Sequence, residues 1–155
     1  MILSCDHITS LAPARSFASL MELYENNYIY MRRLVPDVVA VGDEQVSRGE
    51  VDLYLRIEEL SPYTSTVALT HYFDDNSGRR AHPDLLVRIY HDAQLAEVLP
   101  DSALHSFRWT GKGAPPDRRS LAWRWEVNRF LNRWLRYCLG EGHRFPEPGE
   151  NDLAV

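Results

Sequence analysis

RRSLAWRWEVNRFLNRWLRYCL, residues 118–139, is the stretch whose reading decides the fold. At 3.6 residues per turn, Leu121, Trp125, Phe130, Leu131, Trp134, Leu135 and Cys138 fall on one broad side of a helix. Glu126, Arg129, Arg133 and Arg136 fall on the other. An apolar arc that wide, with two tryptophans in it, needs a sheet or another helix to lie on. The chain is therefore read as a globular domain with a built core, and Trp125 and Trp134 as members of that core.

Working outward, a first helix is expected from about Ser16 to Val35, stopped by Pro36. Its cap is Ser16, or Ser19 paired with Glu22. Phe17, Leu20, Met21, Leu23, Tyr24, Tyr28, Met31 and Leu34 share one face. Asn27 lies inside that face, so its amide is expected to be buried and hydrogen-bonded.

Between the two helices the period changes to two. Val51, Leu53, Leu55 and Ile57 alternate with polar residues. Residues 60–63 form a short turn. The next strand, Tyr63 to Phe73, sets Val67, Leu69, His71 and Phe73 against a threonine-rich face too hydrophilic to demand burial. Residues 74–80 read as a solvated loop of turn formers. It resembles a calcium loop only superficially, because the glycine is misplaced and no glutamate follows at the required distance. A third strand, Asp84 to His91, points Leu85, Val87, Ile89 and His91 inward. Residues 92–99 fit either a short helix capped by Asp92 or a bend followed by more strand. A further strand is expected at 104–110 and a stiff loop at 111–116. The order is helix, short-linked strands, helix. That order favours an α+β fold: a single curved antiparallel β-meander sheet covered by an N-terminal and a C-terminal helix. Residues 1–15 read as a flexible arm, 16–145 as the domain and 146–155 as an irregular tail.

Composition bounds the function. The chain has 155 residues, 45% hydrophobic and 25% charged, enough for one core without disulfides or metal. No apolar run approaches the ~18 residues that span a bilayer, and no signal peptide opens the chain, so no membrane partner is expected. Cys5 and Cys138 sit at opposite ends, and Cys138 reads as core. A reducing cytoplasm is the expected location. Net charge is −5, which argues against a general nucleic-acid binder. Arg118, Arg119, Arg124, Arg129, Arg133, Arg136 and Arg144 crowd the last helix, while Lys112 is the one lysine. Such arginines favour carboxylate or phosphate partners. A coding bias toward arginine is the favoured explanation, since the excess runs through the whole chain.

Three segments together resemble a known family. They are residues 21–27 running into 31–36, the Leu86-Val87-Arg88-Ile89-Tyr90-His91-Asp92-Ala93 run with Ala96-Glu97-Val98, and residues 128–139. The chain resembles the YqiB-like family, small gammaproteobacterial proteins classed as a domain of unknown function. The resemblance spans roughly residues 16–145. It implies no activity and no catalytic residue. It tilts a ligand toward nucleotides, because genes of that family often lie beside a cyclic-nucleotide phosphodiesterase and an ADP-ribose hydrolase.

The residues themselves offer one group. Arg88, Tyr90 and Asp92 share a strand face, His91 lies between them, and Glu97 follows the bend. Arg88, Tyr90, His91, Asp92 and Glu97 are therefore the candidate binding residues. An internal arginine–carboxylate network that pins the bend is the favoured reading of the group, and an open ligand or partner site the other. His71 and His91 are expected at opposite stretches of the sheet, with His71 near Val87 and His91 near Val67, too far apart to share an ion. No metal, cofactor or catalytic residue is assigned. Gly111-Lys112-Gly113 lacks the rest of a phosphate loop, and Cys5-Asp6-His7 lies on the arm. The leading function is a non-enzymatic binding or regulatory module for a protein partner or a small anionic ligand. The alternative is a small metal-assisted hydrolase acting on a nucleotide or phosphoester through His71, His91, Asp92 and Glu97. A homodimer through the first helix or a sheet face is a third reading.

Overall fold

The computed structural model describes residues 16–76, 78–100, 117 and 120–146. The expected arm at 1–15, the strand at 104–110, the loop at 111–116 and residues 147–155 of the tail lie outside them, as do Cys5 and Lys112. Eight elements follow one another among the described residues: α1 (Phe17–Leu34), α2 (Val38–Val41), β1 (Glu44–Ser47), β2 (Leu53–Leu60), β3 (Thr64–Asp75), β4 (Gly78–Tyr90), β5 (Leu95–Val98) and α3 (Leu121–Gly140). The strands form one antiparallel sheet in the order β1-β2-β3-β4-β5, an open meander with helices before and after it. The α+β architecture expected from the sequence is the one observed.

Hydrophobic alternation sets the register. Leu55 pairs with Leu69, which pairs with Leu85; Ile57 pairs with Val67, then Val87, then Val98. These rows place one apolar stripe across four strands, and the helices lie on it. The β3–β4 hairpin is longer than the turn formers imply. Both strands run on to Asp75 and Gly78, and Gly78 takes φ 109 at the turn. A bulge opposite Thr70 and Tyr72 admits Pro83, which has no N–H to give the ladder. The register therefore differs from the expected one. Val67 faces Val87, and Thr64 faces Tyr90. Residues 92–99 resolve as a tight turn, with Gln94 at φ 58, and then β5.

Two short elements escaped the sequence reading, α2 and β1. The threonine face is also not open to water, since Thr66 and Thr70 are 5% and 6% exposed. Arg88 Nε donates to Thr66 Oγ1 (3.3 Å), and Thr70 Oγ1 donates to Asp84 Oδ1 (2.9 Å), so neighbouring side chains bridge over that face.

Ser16 caps α1 by accepting from the Ser19 amide, and Ser120 caps α3 by accepting from Trp123. The described α3 begins at Leu121, three residues later than expected, and its orientation is rotated. Trp123, Val127, Leu131, Trp134, Leu135 and Cys138 face the core. Trp125 is half-buried in a satellite cluster with Leu20, Leu23 and Tyr24, and Leu121 is exposed. Phe17, expected on the buried face of α1, is exposed as well.

The two helices are joined by amides. Asn27 and Asn128 are fully buried, and Asn132 nearly so. Asn27 Nδ2 donates to the Asn128 carbonyl (3.4 Å), and Asn132 Nδ2 donates to Asn27 Oδ1 (3.0 Å) and Asn26 Oδ1 (2.7 Å). Asn128 Oδ1 accepts from the Val98 amide of β5 (2.9 Å). Past the end of α3, the Phe145 amide donates to the Leu34 carbonyl, so residues 141–146 are docked and Phe145 is fully buried.

Two outcomes are expected in urea titrations. Trp134→Ala and Trp123→Ala each lose about 3–5 kcal/mol, and Trp125→Ala loses clearly less. Asn27→Ala loses about 1–3 kcal/mol, because Asn132 is left with an unmet buried donor.

Candidate functional site

The best-formed pocket lies where four segments meet. Pro36 ends α1, and the Val35 amide closes its last turn on the Met31 carbonyl. Asp37 then caps α2 by accepting from the Val39 amide (3.1 Å). Opposite, the Leu60–Pro62 turn links β2 to β3, closed by the Ser61 amide on Thr64 O. Ser65 and Ile89 form the floor, and His91 continues β4 by donating its amide to Tyr63 O. The cavity measures about 380 Å³, within the usual range for small-ligand sites. Its walls are Met31, Val35, Val38 and Ile89, with Val39 and Leu60 exposed at the rim. Three polar groups converge on it. His91 Nε2 lies 2.7 Å from Ser65 Oγ, Ser65 is buried, and Arg32 is exposed at the mouth. Arg32 meets no carboxylate at salt-bridge distance among the described residues.

The five candidate residues divide between the two faces of the sheet. His91 points into this pocket. Arg88, Tyr90 and Glu97 are brought together on the opposite face, where Arg88 pairs with Glu97 across the β4–β5 ladder. Tyr90 Oη donates to Glu97 Oε1 at 2.7 Å. Burial, then Glu97, push the Tyr90 phenol above its ordinary pKa. Two residues missed in the sequence join this group. Tyr24 of α1 is buried and its phenol is also raised, first by burial and then by the Glu97 charge, while Arg124 of α3 lowers it. Asp92 is not part of the group. It is exposed and bonds to the Ala93 amide in the turn before β5. The signal for Tyr24 was its place on the apolar face of α1. No signal marked Arg124 among so many arginines.

His71 lies elsewhere, under α3. It is 3% exposed, and Trp134 Nε1 donates to its Nδ1 (3.1 Å). The ring is thus neutral with its proton on Nε2, which faces Cys138 Sγ at 4.0 Å. The His143 ring lies nearby, tilted by 52° with centroids 5.9 Å apart, and bonds through Nδ1 to Ser47 Oγ (2.9 Å). A Cβ on Gly49 would sit 2.9 Å from His143 Cε1, so this close approach requires glycine. His71 and His91 are thus far apart, as expected, though the register behind the expectation is corrected. Ser65, which holds His91, is six residues from His71 along β3, on the order of 20 Å. His71, His91, Asp92 and Glu97 do not converge, which removes the donor set of the hydrolase alternative. Among the described residues no three of His, Cys, Asp and Glu could hold one ion.

Burial pushes the Cys138 thiol up to about 12. A raised acid is favoured in its neutral form. The stabilisation is therefore fully present below the unfolded thiol's pKa, near 9, and is lost as pH rises toward 12. Native protein at pH 8 is expected to leave Cys138 unmodified by a disulfide reagent, with rapid reaction once urea unfolds the chain. Mass spectrometry of the Cys138 peptide before and after urea reads this directly.

Comparison with known proteins places the chain. The family model "Protein of unknown function (DUF1249)" matches residues 30–144, a span that contains every pocket-lining residue. The "Uncharacterized protein YqiB" of Escherichia coli strain K12 is 34% identical over 131 residues, covering 81% of this chain and 90% of that protein. The YqiB proteins of the O6:H1 and O157:H7 strains match with the same values. No solved structure matches. The chain is similar to YqiB along most of its length, and it belongs to the DUF1249 family of proteins of unknown function.

Proposed function

We propose that this protein is a cytoplasmic, non-enzymatic binding module, and that its ligand is a small molecule with an apolar body and one anionic group. The observation that carries this reading is the convergence of Arg32, His91 and Ser65 on an apolar cavity of about 380 Å³. The apolar walls favour burial of a hydrocarbon or ring, and a few placed polar groups fix its orientation. Arg32 supplies a permanent positive charge at the mouth, and the mutually bonded His91 and Ser65 supply hydrogen-bonding groups at the floor. Among the described residues Asp37 is the one carboxylate lining the cavity, and its Oδ1 already accepts from the Val39 amide in capping α2. The groups left to meet a ligand are then Arg32, His91 and Ser65, which favour an anion over a cation. A small ligand suits this closed floor better than a protein partner, the other class of occupant for a binding module.

The Ser65–His91 bond favours a binding role over nucleophilic catalysis. A catalytic histidine needs a group holding its second ring nitrogen, and among the described residues none does so. Arg88, Tyr90 and Glu97 are then a structural network that fixes β5, while His91 is the member of the candidate group that meets ligand. Among the described residues no helix is long and apolar enough to cross a membrane, which supports a ligand taken from solution.

Calorimetry with 1-naphthyl phosphate and with its uncharged parent 1-naphthol tests the reading. The phosphate is expected to bind saturably and the naphthol much more weakly. Arg32→Glu and His91→Gln are each expected to weaken the phosphate about tenfold or more, the scale of one charged hydrogen bond, while melting near the wild-type temperature. Equal binding by wild type and both variants would place the ligand elsewhere.

A further inference from the structure

On the other face of the sheet, three side chains from three strands form a diagonal row. Tyr54 of β2 faces Thr70, so Tyr72 of β3 is its diagonal neighbour. Arg79 of β4 faces Asp74 and is in turn diagonal to Tyr72. The two phenol rings meet at 84° with centroids 4.8 Å apart, making a right-angled corner. The Arg79 guanidinium sits in that corner, 4.0 Å from the Tyr72 centroid and 4.9 Å from that of Tyr54. Aromatic faces carry negative quadrupoles, so such a corner attracts a cation from two directions.

Acidic groups stand beside it. Glu50 and Asp52 line a cavity of about 480 Å³ together with Gly49, Val51, both tyrosines and Arg79. Asp52 is held charged, because the Gly49 amide (3.1 Å) and then Arg48 (2.9 Å) keep its carboxyl below the ordinary value. Arg79 is exposed and comes from the tip of the β3–β4 hairpin. It lines the cavity.

We propose that the Tyr54–Tyr72 corner is a guanidinium site, that it accepts an arginine side chain from another polypeptide, and that Arg79 is the internal competitor this arginine displaces. The chemistry is specific. A planar guanidinium can stack its plane on one ring, turn an N–H edge toward the face of the second and still donate to Glu50 or Asp52. This site is separate from the pocket at His91, because Tyr54 and Tyr72 lie on the sheet face opposite Leu53, Leu55 and His71. The chain's net charge of −5 further favours a cationic partner here.

The test uses Nα-acetyl-arginine amide as probe, with the citrulline analogue as its uncharged isostere and tetramethylammonium as a non-planar cation. Tyrosine ring resonances report occupancy in titrations by nuclear magnetic resonance. Arg79→Ala is expected to bind the arginine probe about tenfold more tightly than wild type, between the values for an exposed and a desolvated cation–π contact. The citrulline analogue should not bind at the same concentrations. Adding Tyr72→Leu to Arg79→Ala should abolish binding. Since that double variant could misfold, Asp52→Asn in the Arg79→Ala background is a second reading and should weaken the probe. Equal affinity in wild type and Arg79→Ala, binding of citrulline as strong as arginine, or tighter binding of tetramethylammonium than of arginine would each overturn the proposal.

Discussion

Three buried asparagines hold this structure in one arrangement. Asn27 comes from α1, and Asn128 and Asn132 come from α3. Together they bond helix to helix and helix to sheet, because Asn128 also takes the Val98 amide of β5. Apolar packing alone would let α1 slide or turn on α3 at small cost, since Leu, Met and Trp contacts are not directional. Buried amides do not permit this. A shift of one residue would leave donors without acceptors in a place water cannot reach. Everything placed by the ends of α1 inherits this register. The pocket at Arg32 and His91 exists because α1 stops beside the β2–β3 turn, and Tyr24 lies within reach of the Glu97 charge because α1 lies along β5.

The sequence made much of this legible, and the exceptions have physical reasons. Asn27 could be read because a polar residue stood inside an apolar stripe. The strands could be read because their residues alternate. β1 and α2 could not, because each is four residues long and neither has enough length to show a period. The long hairpin was hidden because Asp74, Asp75, Asn76 and Gly78 are all turn formers, yet only the tip turns. Trp125 was taken for core in place of Trp123 because a wide apolar arc does not reveal its own centre. The asparagines mark that centre, and their meaning appears only when both helices are seen together.

The site was less legible than the fold. Alternation correctly brought Arg88, Tyr90 and Glu97 to one face, since the period of two is a local property of each strand. The same rule sends His91 to the opposite face, so the candidate group could not be a single site. The pocket it enters is assembled from α1, α2, the β2–β3 turn and the ends of β3 and β4. No local pattern announces a cavity whose walls are so far apart in the chain. The guanidinium corner has the same character, because its three members are diagonal neighbours only once the register is known.

The asparagine bonds between α1 and α3 join residues more than a hundred positions apart, such as Asn27 and Asn128. This has a consequence during synthesis. The sheet strands are all made before α3, and their apolar stripe of Leu53, Leu55, Val67, Leu69, Leu85 and Val87 has no complete cover until α3 leaves the ribosome. The meander can pair its hairpins early, since each joins neighbouring strands. Its core cannot close early. The nascent chain must therefore carry an exposed apolar face through the time it takes to add the roughly forty residues from the end of β5 to the end of α3, about 2–8 seconds at ordinary elongation rates. The final helix acts as the clasp of the domain, and a chain cut short before it is a sheet with one bare side.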